Sequence, residues 1–99
     1  MILEIAQIAV KAGLEDRFEA AVAAATPLFR RAKGCLSMEL VRSIEHPSRY
    51  RLLVGWETQE NHTVDFRNSD DFQTWRGLVS DCFDGTPEVE HAAQAVAGF

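Results

Sequence analysis

The chain has 99 residues, is 46% hydrophobic and 25% charged, and carries a formal net charge of −5. That length makes one domain spanning residues 1–99, with the composition of a soluble globular protein. The acidic balance excludes a nucleic-acid binder, which needs a basic face to displace counterions, and it excludes attachment to an anionic membrane surface.

The N-terminal stretch MILEIAQIAV is apolar, but it lacks a basic leading region and is interrupted by Glu4 and Gln7. It reads as a strand, not a signal peptide, and no run approaches the length of a membrane span. The expected location is the cytoplasm. In a strand over residues 2–11, Ile2, Glu4, Ala6, Ile8 and Val10 fall on one side and Leu3, Ile5, Gln7 and Ala9 on the other. Both sides are largely apolar, which predicts a strand covered on both faces.

Gly13 breaks the strand. A helix is predicted from Leu14 to Ala32, with Leu14, Phe18, Ala21, Val22, Ala25 and Phe29 in one apolar stripe. Glu15 and Asp16 suit its N-terminal end, and Arg30, Arg31 and Lys33 suit the other. Pro27 removes a backbone donor and predicts a kink or split near Thr26. Gly34 is the expected stop.

Cys35 to Ile44 reads as a second strand, with Leu36, Met38 and Leu40 on one face and Ser37, Glu39 and Val41 on the other. Glu45-His46-Pro47-Ser48 is a turn. Arg49 to Glu57 is the third strand, with Tyr50, Leu52, Val54 and Trp56 on one face and Arg51, Leu53 and Gly55 on the other. The two strands form an antiparallel hairpin. Thr58 caps a short helix running to about Phe66. Ser69, followed by Asp70 and Asp71, starts a second helix whose stripe is Phe72, Trp75, Leu78/Val79 and Cys82/Phe83. Asp84-Gly85-Thr86-Pro87 ends it, and Glu88 to Val96 reads as a last strand with Val89, His91, Ala93 and Ala95 inward. Cys35 and Cys82 lack metal-ligand spacing and sit among apolar residues, as buried free thiols do.

The order strand, helix, two strands, helix pair, strand is the α+β, ferredoxin-like βαββαβ pattern: a four-stranded antiparallel sheet with both helical segments on one face. The other face carries Leu3, Ile5, Ala9, Val41 and Leu53. An apolar sheet face of that extent predicts a two-fold homodimer with the sheets packed face to face, a dimeric α+β barrel. Glu39 and Arg51 lie on that face, where a cross-interface ion pair would set the register.

The third strand with its terminal Trp56, then HTVDFRNSDDFQTWR, then PEVEH, resembles the antibiotic biosynthesis monooxygenase (ABM) family. The likeness runs from the first strand through AKGCLSMEL to Glu90 and His91. It implies the dimeric barrel and a small-molecule monooxygenase that needs no cofactor: no metal, flavin or haem. The electrons come from a phenol, anthrone or quinol that is deprotonated and then reacts with O₂. The protein must hold a ring in a dry pocket, help a proton move and stabilise an oxyanion. The haem-degrading branch uses an Asn on the first strand and a His late in the helical segment. Gln7 and the early position of His62 depart from that pattern.

Within this frame His62 is the candidate proton acceptor, and it shares a helical face with Phe66. The alternative is a His hydrogen-bonded to backbone beneath the helices. Asn61 is the candidate oxyanion or carbonyl contact. His91 can reach His62 or a ligand, or be a satisfied core histidine. Trp56, Trp75, Phe66 and Phe72 offer flat surfaces to an aromatic ring or serve the core. Arg67 and Arg76 can bind an anionic group or pair with Asp65, Asp70 and Asp71. His46 is a solvated turn residue. Two rivals use the same fold: a non-catalytic barrel that binds a small hydrophobic ligand, and an isomerase or decarboxylase.

Overall fold

The computed structural model describes residues 1–99. Four strands, β1 (Ile2–Ala9), β2 (Cys35–Arg42), β3 (Arg49–Trp56) and β4 (Glu88–Ala92), form one antiparallel sheet in the order β2-β3-β1-β4. Helix α1 (Glu15–Arg30) follows β1. A π-helical turn (Asn61–Phe66), helix α2 (Asp70–Val79) and a 3₁₀ turn (Ser80–Cys82) lie between β3 and β4. This is the ferredoxin-like arrangement, and no helix is long and apolar enough to cross a membrane.

Alternation along the two central strands decides which face the helices cover. Ala6, Ile8 and Val10 of the first strand and its extension, and Tyr50, Leu52, Val54 and Trp56 of β3, are all buried. They pack against Phe18, Val22, Ala25, Leu28 and Phe29 of α1 and against Phe66, Trp75, Val79 and Cys82 of the second helical segment. Phe29 joins the two layers of the roof. Its ring lies 4.9 Å from Phe66 and 5.0 Å from Trp75. The opposite sheet face is open in the single chain: Leu3, Ile5 and Leu53 are half-buried, while Gln7, Glu39, Val41 and Arg51 are exposed.

Several local expectations hold. The Ser69 hydroxyl accepts from the Phe72 N–H, with Asp70 and Asp71 in the first turn of α2. The Thr58 hydroxyl accepts the Asn61 N–H at 3.2 Å. Gly34 has φ +75°, and a Cβ there would collide with the Asn61 amide, so glycine serves both the backbone and the close approach. Cys82 is a fully buried free thiol as expected, whereas Cys35 is free but only half-buried.

Four expectations are corrected. Pro27 does not split α1, which runs unbroken to Arg30 and not to Ala32. Pro27 lies on the exposed side, where water can satisfy the carbonyl that the ring leaves unbonded, and its neighbours Leu28 and Phe29 anchor the last turn in the core. In β2 the register shifts between Cys35 and Ser37, so Leu36 leaves the inner face and is 53% exposed. The short helix after Thr58 is mostly a π-turn, closed by the bond from the Arg67 N–H to the His62 carbonyl. The last strand ends at Ala92: residues 93–99 are exposed and have no ladder partners, so Ala93 and Ala95 do not face inward.

Candidate active site

Because β1 lies inside the sheet, its inward positions sit beneath the helices. One of them, Glu4, is a carboxylic acid and is 5% exposed. Three neighbours converge on it. Trp56 ends β3, one inward step away in the register that pairs Ile2 with Trp56, and its indole N–H donates to Glu4 Oε1 at 3.0 Å. His62 Nε2 stands 3.3 Å from the same oxygen. His91 lies opposite Glu4 across the β1–β4 ladder, and its Nε2 is 2.8 Å from His62 Nδ1. A continuous polar chain therefore runs Glu4, His62, His91. No three His, Cys, Asp or Glu side chains converge as a metal-holding group, since these three are strung in a line.

The local sequence places His62 in that chain. Thr58 and Asn61 bond reciprocally: Thr58 accepts the Asn61 N–H, and the Asn61 amide oxygen accepts from the Thr58 N–H at 3.1 Å and its hydroxyl at 2.9 Å. The Asn61 amide nitrogen donates to Asp65 at 3.2 Å. These bonds set where the helical turn starts. The π-turn then brings both His62 and Phe66 to the buried side. The His62 ring stacks on Trp56 with centroids 5.4 Å apart and 20° between planes.

Burial governs the protonation of this group. Loss of water pushes the Glu4 carboxyl up from 4.5 to about 7, although the Trp56 hydrogen bond and the Arg67 charge oppose the shift. Burial, then the charge of Arg67, pushes the His62 imidazole down from 6.5 to about 4. His91 is lowered by the same two causes in the same order. Glu4 and His62 thus do not form an ion pair at neutral pH: the imidazole is neutral, and the carboxyl is near its midpoint.

Glu4 Oε1 takes both polar contacts, and no buried side-chain nitrogen or oxygen lacks a partner, so Oε2 is not sealed in the core. Glu4 lines a cavity of about 430 Å³ between sheet and helices, together with His62, Phe66, Phe72, Trp75 and Phe83. Arg67 and Arg76 stand on its wall, the latter with its guanidinium 6.0 Å above the Phe72 ring. Neither arginine forms an ion pair, and Asp71, one of their expected partners, is bound to Arg31 at 2.7 Å. A second cavity, about 470 Å³, lies at the hairpin end and the open sheet face, among Gln7, His46, Arg49 and Arg51. It is somewhat larger, but its walls are chiefly exposed polar side chains and none of the candidate residues reaches it.

The structure therefore brings His62, Phe66, Phe72, Trp75 and Arg76 to one cavity, with His91 directly behind His62. Trp56 is fully buried on the far side of His62, outside the cavity lining. Asn61 is also outside it, with its amide committed to Thr58 and Asp65. Sequence reasoning missed Glu4. Its signal was parity: it shares the inward side of the first strand with Ala6, Ile8 and Val10.

Fold and site together define a ferredoxin-like α+β domain with a buried acid–base chain on the wall of an aromatic cavity. The chain belongs to the antibiotic biosynthesis monooxygenase family, whose profile matches residues 1–78. The uncharacterized protein YczJ of Bacillus subtilis strain 168 is 40% identical over 91 residues, which is 92% of this chain and 96% of that one. A crystal structure from Bordetella bronchiseptica, of a protein named for the same family, is 56% identical and superposes with a TM-score of 0.94 over 96% of this chain and 97% of that one. SnoaB, a cofactor-independent oxygenase from Streptomyces nogalater, shares the fold at a TM-score of 0.85 and 15% identity, over 98% and 95% of the two chains.

The two shifted groups have opposite consequences for stability. Glu4 holds its proton more tightly when folded, so its contribution is complete below pH 4.5 and is lost as pH rises to about 7. His62 holds its proton less tightly when folded, so its contribution is lost as pH falls from 6.5 to about 4. Glu4→Gln removes the first term and keeps an acceptor for Trp56. Relative to the parent, this variant gains on the order of 3 kcal/mol between pH 4.5 and 7 in urea unfolding. Parallel stability curves for the two proteins would show that the carboxyl titrates normally.

Proposed function

We propose that this protein is a cofactor-independent monooxygenase acting on a small aromatic or quinol-type compound, with the whole chain 1–99 as one catalytic domain. The observation that carries the reading is Glu4: a carboxyl buried on the wall of an aromatic cavity, with a midpoint near neutral pH. Such a group takes a proton from a phenol or from an acidic ring carbon far better than a solvated carboxylate does. His62, a weak base by itself, orients the carboxyl through Oε1 and leaves Oε2 to the substrate. Phe66, Phe72 and Trp75 wall the ring. Arg67, whose charge is felt at Glu4, His62 and His91, stabilises the oxyanion that forms, the task the sequence suggested for Asn61. Asn61 is instead a positioning residue, acting through the helical turn that carries His62. Trp56 likewise positions His62 and Glu4.

With an anthrone, the balance is one O₂ consumed, one oxygen retained as a new ring carbonyl and one water released. All four electrons come from the substrate carbon, whose two hydrogens leave in the water. The proton taken from the substrate and the departing hydroxide together make up that water. A purely ligand-binding barrel gains support only where the pocket lacks a titratable constellation, and this pocket has one. An isomerase would use the same acid–base chain without oxygen, so oxygen consumption separates the two.

The open sheet face supports a homodimer, with Leu3, Ile5, Val41 and Leu53 covered by a second copy and Glu39 and Arg51 near the seam. Free cysteines and the lack of a membrane-crossing helix are compatible with a cytoplasmic location. Sedimentation at micromolar concentration should give a two-chain species, and a monodisperse single chain would refute the dimer.

Oxygen uptake across a panel of dihydroxyaromatics, anthrones and quinols tests the activity. At least one class should consume O₂ without added metal, flavin or haem. On that compound Glu4→Gln and His62→Ala should each lower kcat by about 100-fold or more while binding survives. Absence of uptake with every compound, or full activity of Glu4→Gln, would overturn the reading.

A further inference from the structure

The chain from Glu4 to His91 has two open ends. At one end, Glu4 Oε2 meets the cavity. At the other, His91 Nδ1 forms no hydrogen bond within the protein and is not sealed, since no buried side-chain nitrogen lacks a partner. His91 itself is half-buried on β4, the edge strand of the sheet. Between the ends, each ring nitrogen of His62 faces one partner only: Nε2 faces Glu4 Oε1 at 3.3 Å, and Nδ1 faces His91 Nε2 at 2.8 Å. A neutral imidazole carries one N–H and one bare nitrogen, so the tautomer of one ring dictates that of the next.

We propose that Glu4, His62 and His91 form a proton relay that carries the substrate's proton from the cavity to the sheet edge, with His91 as its exit. The use assigned to the relay rests on the oxygenase reading above; the relay itself does not. Two arrangements satisfy every contact. In the first, Glu4 is protonated on Oε1 and donates to His62 Nε2, His62 Nδ1–H donates to His91 Nε2, and His91 carries its own proton on Nδ1. In the second, Glu4 is ionised, His62 Nε2–H donates to Oε1, His91 Nε2–H donates to His62 Nδ1, and His91 Nδ1 is bare.

The first arrangement becomes the second by losing one proton from His91 Nδ1 while the two internal protons each move one place. Starting from the first arrangement, a proton arriving from the substrate at Oε2 drives the same movement of the internal protons: one proton enters, one leaves at His91 Nδ1, no electrons move, and the carboxyl is left protonated on Oε2. The charge never has to rest on His62, the most deeply buried ring, which is the costliest place for it. Other groups around the chain are consistent with this. Arg67, after the π-turn, disfavours an imidazolium at both rings and favours the ionised carboxyl. Cys35 on β2, whose thiol is raised chiefly by burial and further by the Glu4 charge, stays protonated and does not compete. Trp56 donates to Oε1 in both arrangements. Arg76 stands at the cavity wall and has no place in the chain.

Nitrogen-15 NMR of the histidine rings in the full-length, substrate-free protein tests this directly. Below the Glu4 midpoint both His62 and His91 should be Nδ1–H tautomers; above it both should be Nε2–H. The two rings should exchange tautomer together, with the same midpoint as the Glu4 side-chain carbon. Midway through that titration the parent should give one averaged set of His62 signals. His91→Gln, which cannot pass a proton on, should broaden or split that set while the protein stays folded. Glu4→Gln should abolish the pH-driven tautomer change. Tautomers that stay fixed across the Glu4 titration would overturn the relay, as would an imidazolium forming at His91 in its place or unchanged exchange in His91→Gln. Oxygen uptake is a separate readout, so an inactive protein with a working relay would count against the oxygenase alone.

Discussion

A carboxylic acid placed under the roof of a sheet sets the terms for the rest of this molecule. Glu4 sits on an interior strand with both neighbours paired, so it cannot turn to solvent without breaking two ladders. An unpartnered carboxylate there would cost several kcal/mol. The structure lowers that cost in two ways: the group is allowed to stay protonated to near neutral pH, and one of its oxygens is given an indole and an imidazole. The Trp56 at the end of β3 and the His62 carried by the turn after it are therefore as much parts of the core as they are of the site.

The segment between β3 and β4 follows from that need. The Thr58–Asn61 cap and the glycine at Gly34 fix where the turn begins. The π-turn lets His62 and Phe66 both point inward. Ser69 restarts the chain as α2, which supplies Phe72, Trp75 and Arg76. The cavity is the space left between this segment and the inner sheet face, where β1 presents Glu4, Ala6 and Ile8. A proton-handling group and a ring-sized apolar space thus arise from the same packing compromise. The same burial that makes Glu4 a stronger base makes His62 a weaker one.

Much of this was legible in the residues. The Tyr50, Leu52, Val54, Trp56 alternation, the Phe18 to Phe29 stripe, the Ser69 cap and the left-handed glycine at 34 are local signals, and each appears where the pattern predicts. That His62, Phe66 and Trp75 line the cavity was legible because helical spacing puts them on the side facing the sheet. Features that depend on partners distant in sequence were not. Glu4 has the right parity for burial, but a charge in an apolar run signals solvent unless its indole and imidazole partners, 52 and 58 residues away, are known. The Leu36 irregularity arises from pairing with β3. The end of β4 at Ala92 reflects how far β1 runs alongside it. Asn61 is polar beside a candidate base and looked chemical, yet its short-range bonds to Thr58 and Asp65 consume it. Pro27 shows that tertiary anchoring by Leu28 and Phe29 outweighs one lost helical bond.

Glu4 is a buried acid that still carries its proton where a solvated glutamate has lost it. Infrared difference spectroscopy across a pH titration, with glutamate isotope-labelled at the side-chain carboxyl, reads this most directly. A carbonyl stretch of a protonated carboxylic acid should persist above the ordinary glutamate range, vanish with a midpoint of about 7, and be missing from Glu4→Gln. Conversion of every glutamate to carboxylate with a midpoint near 4.5 would contradict the account.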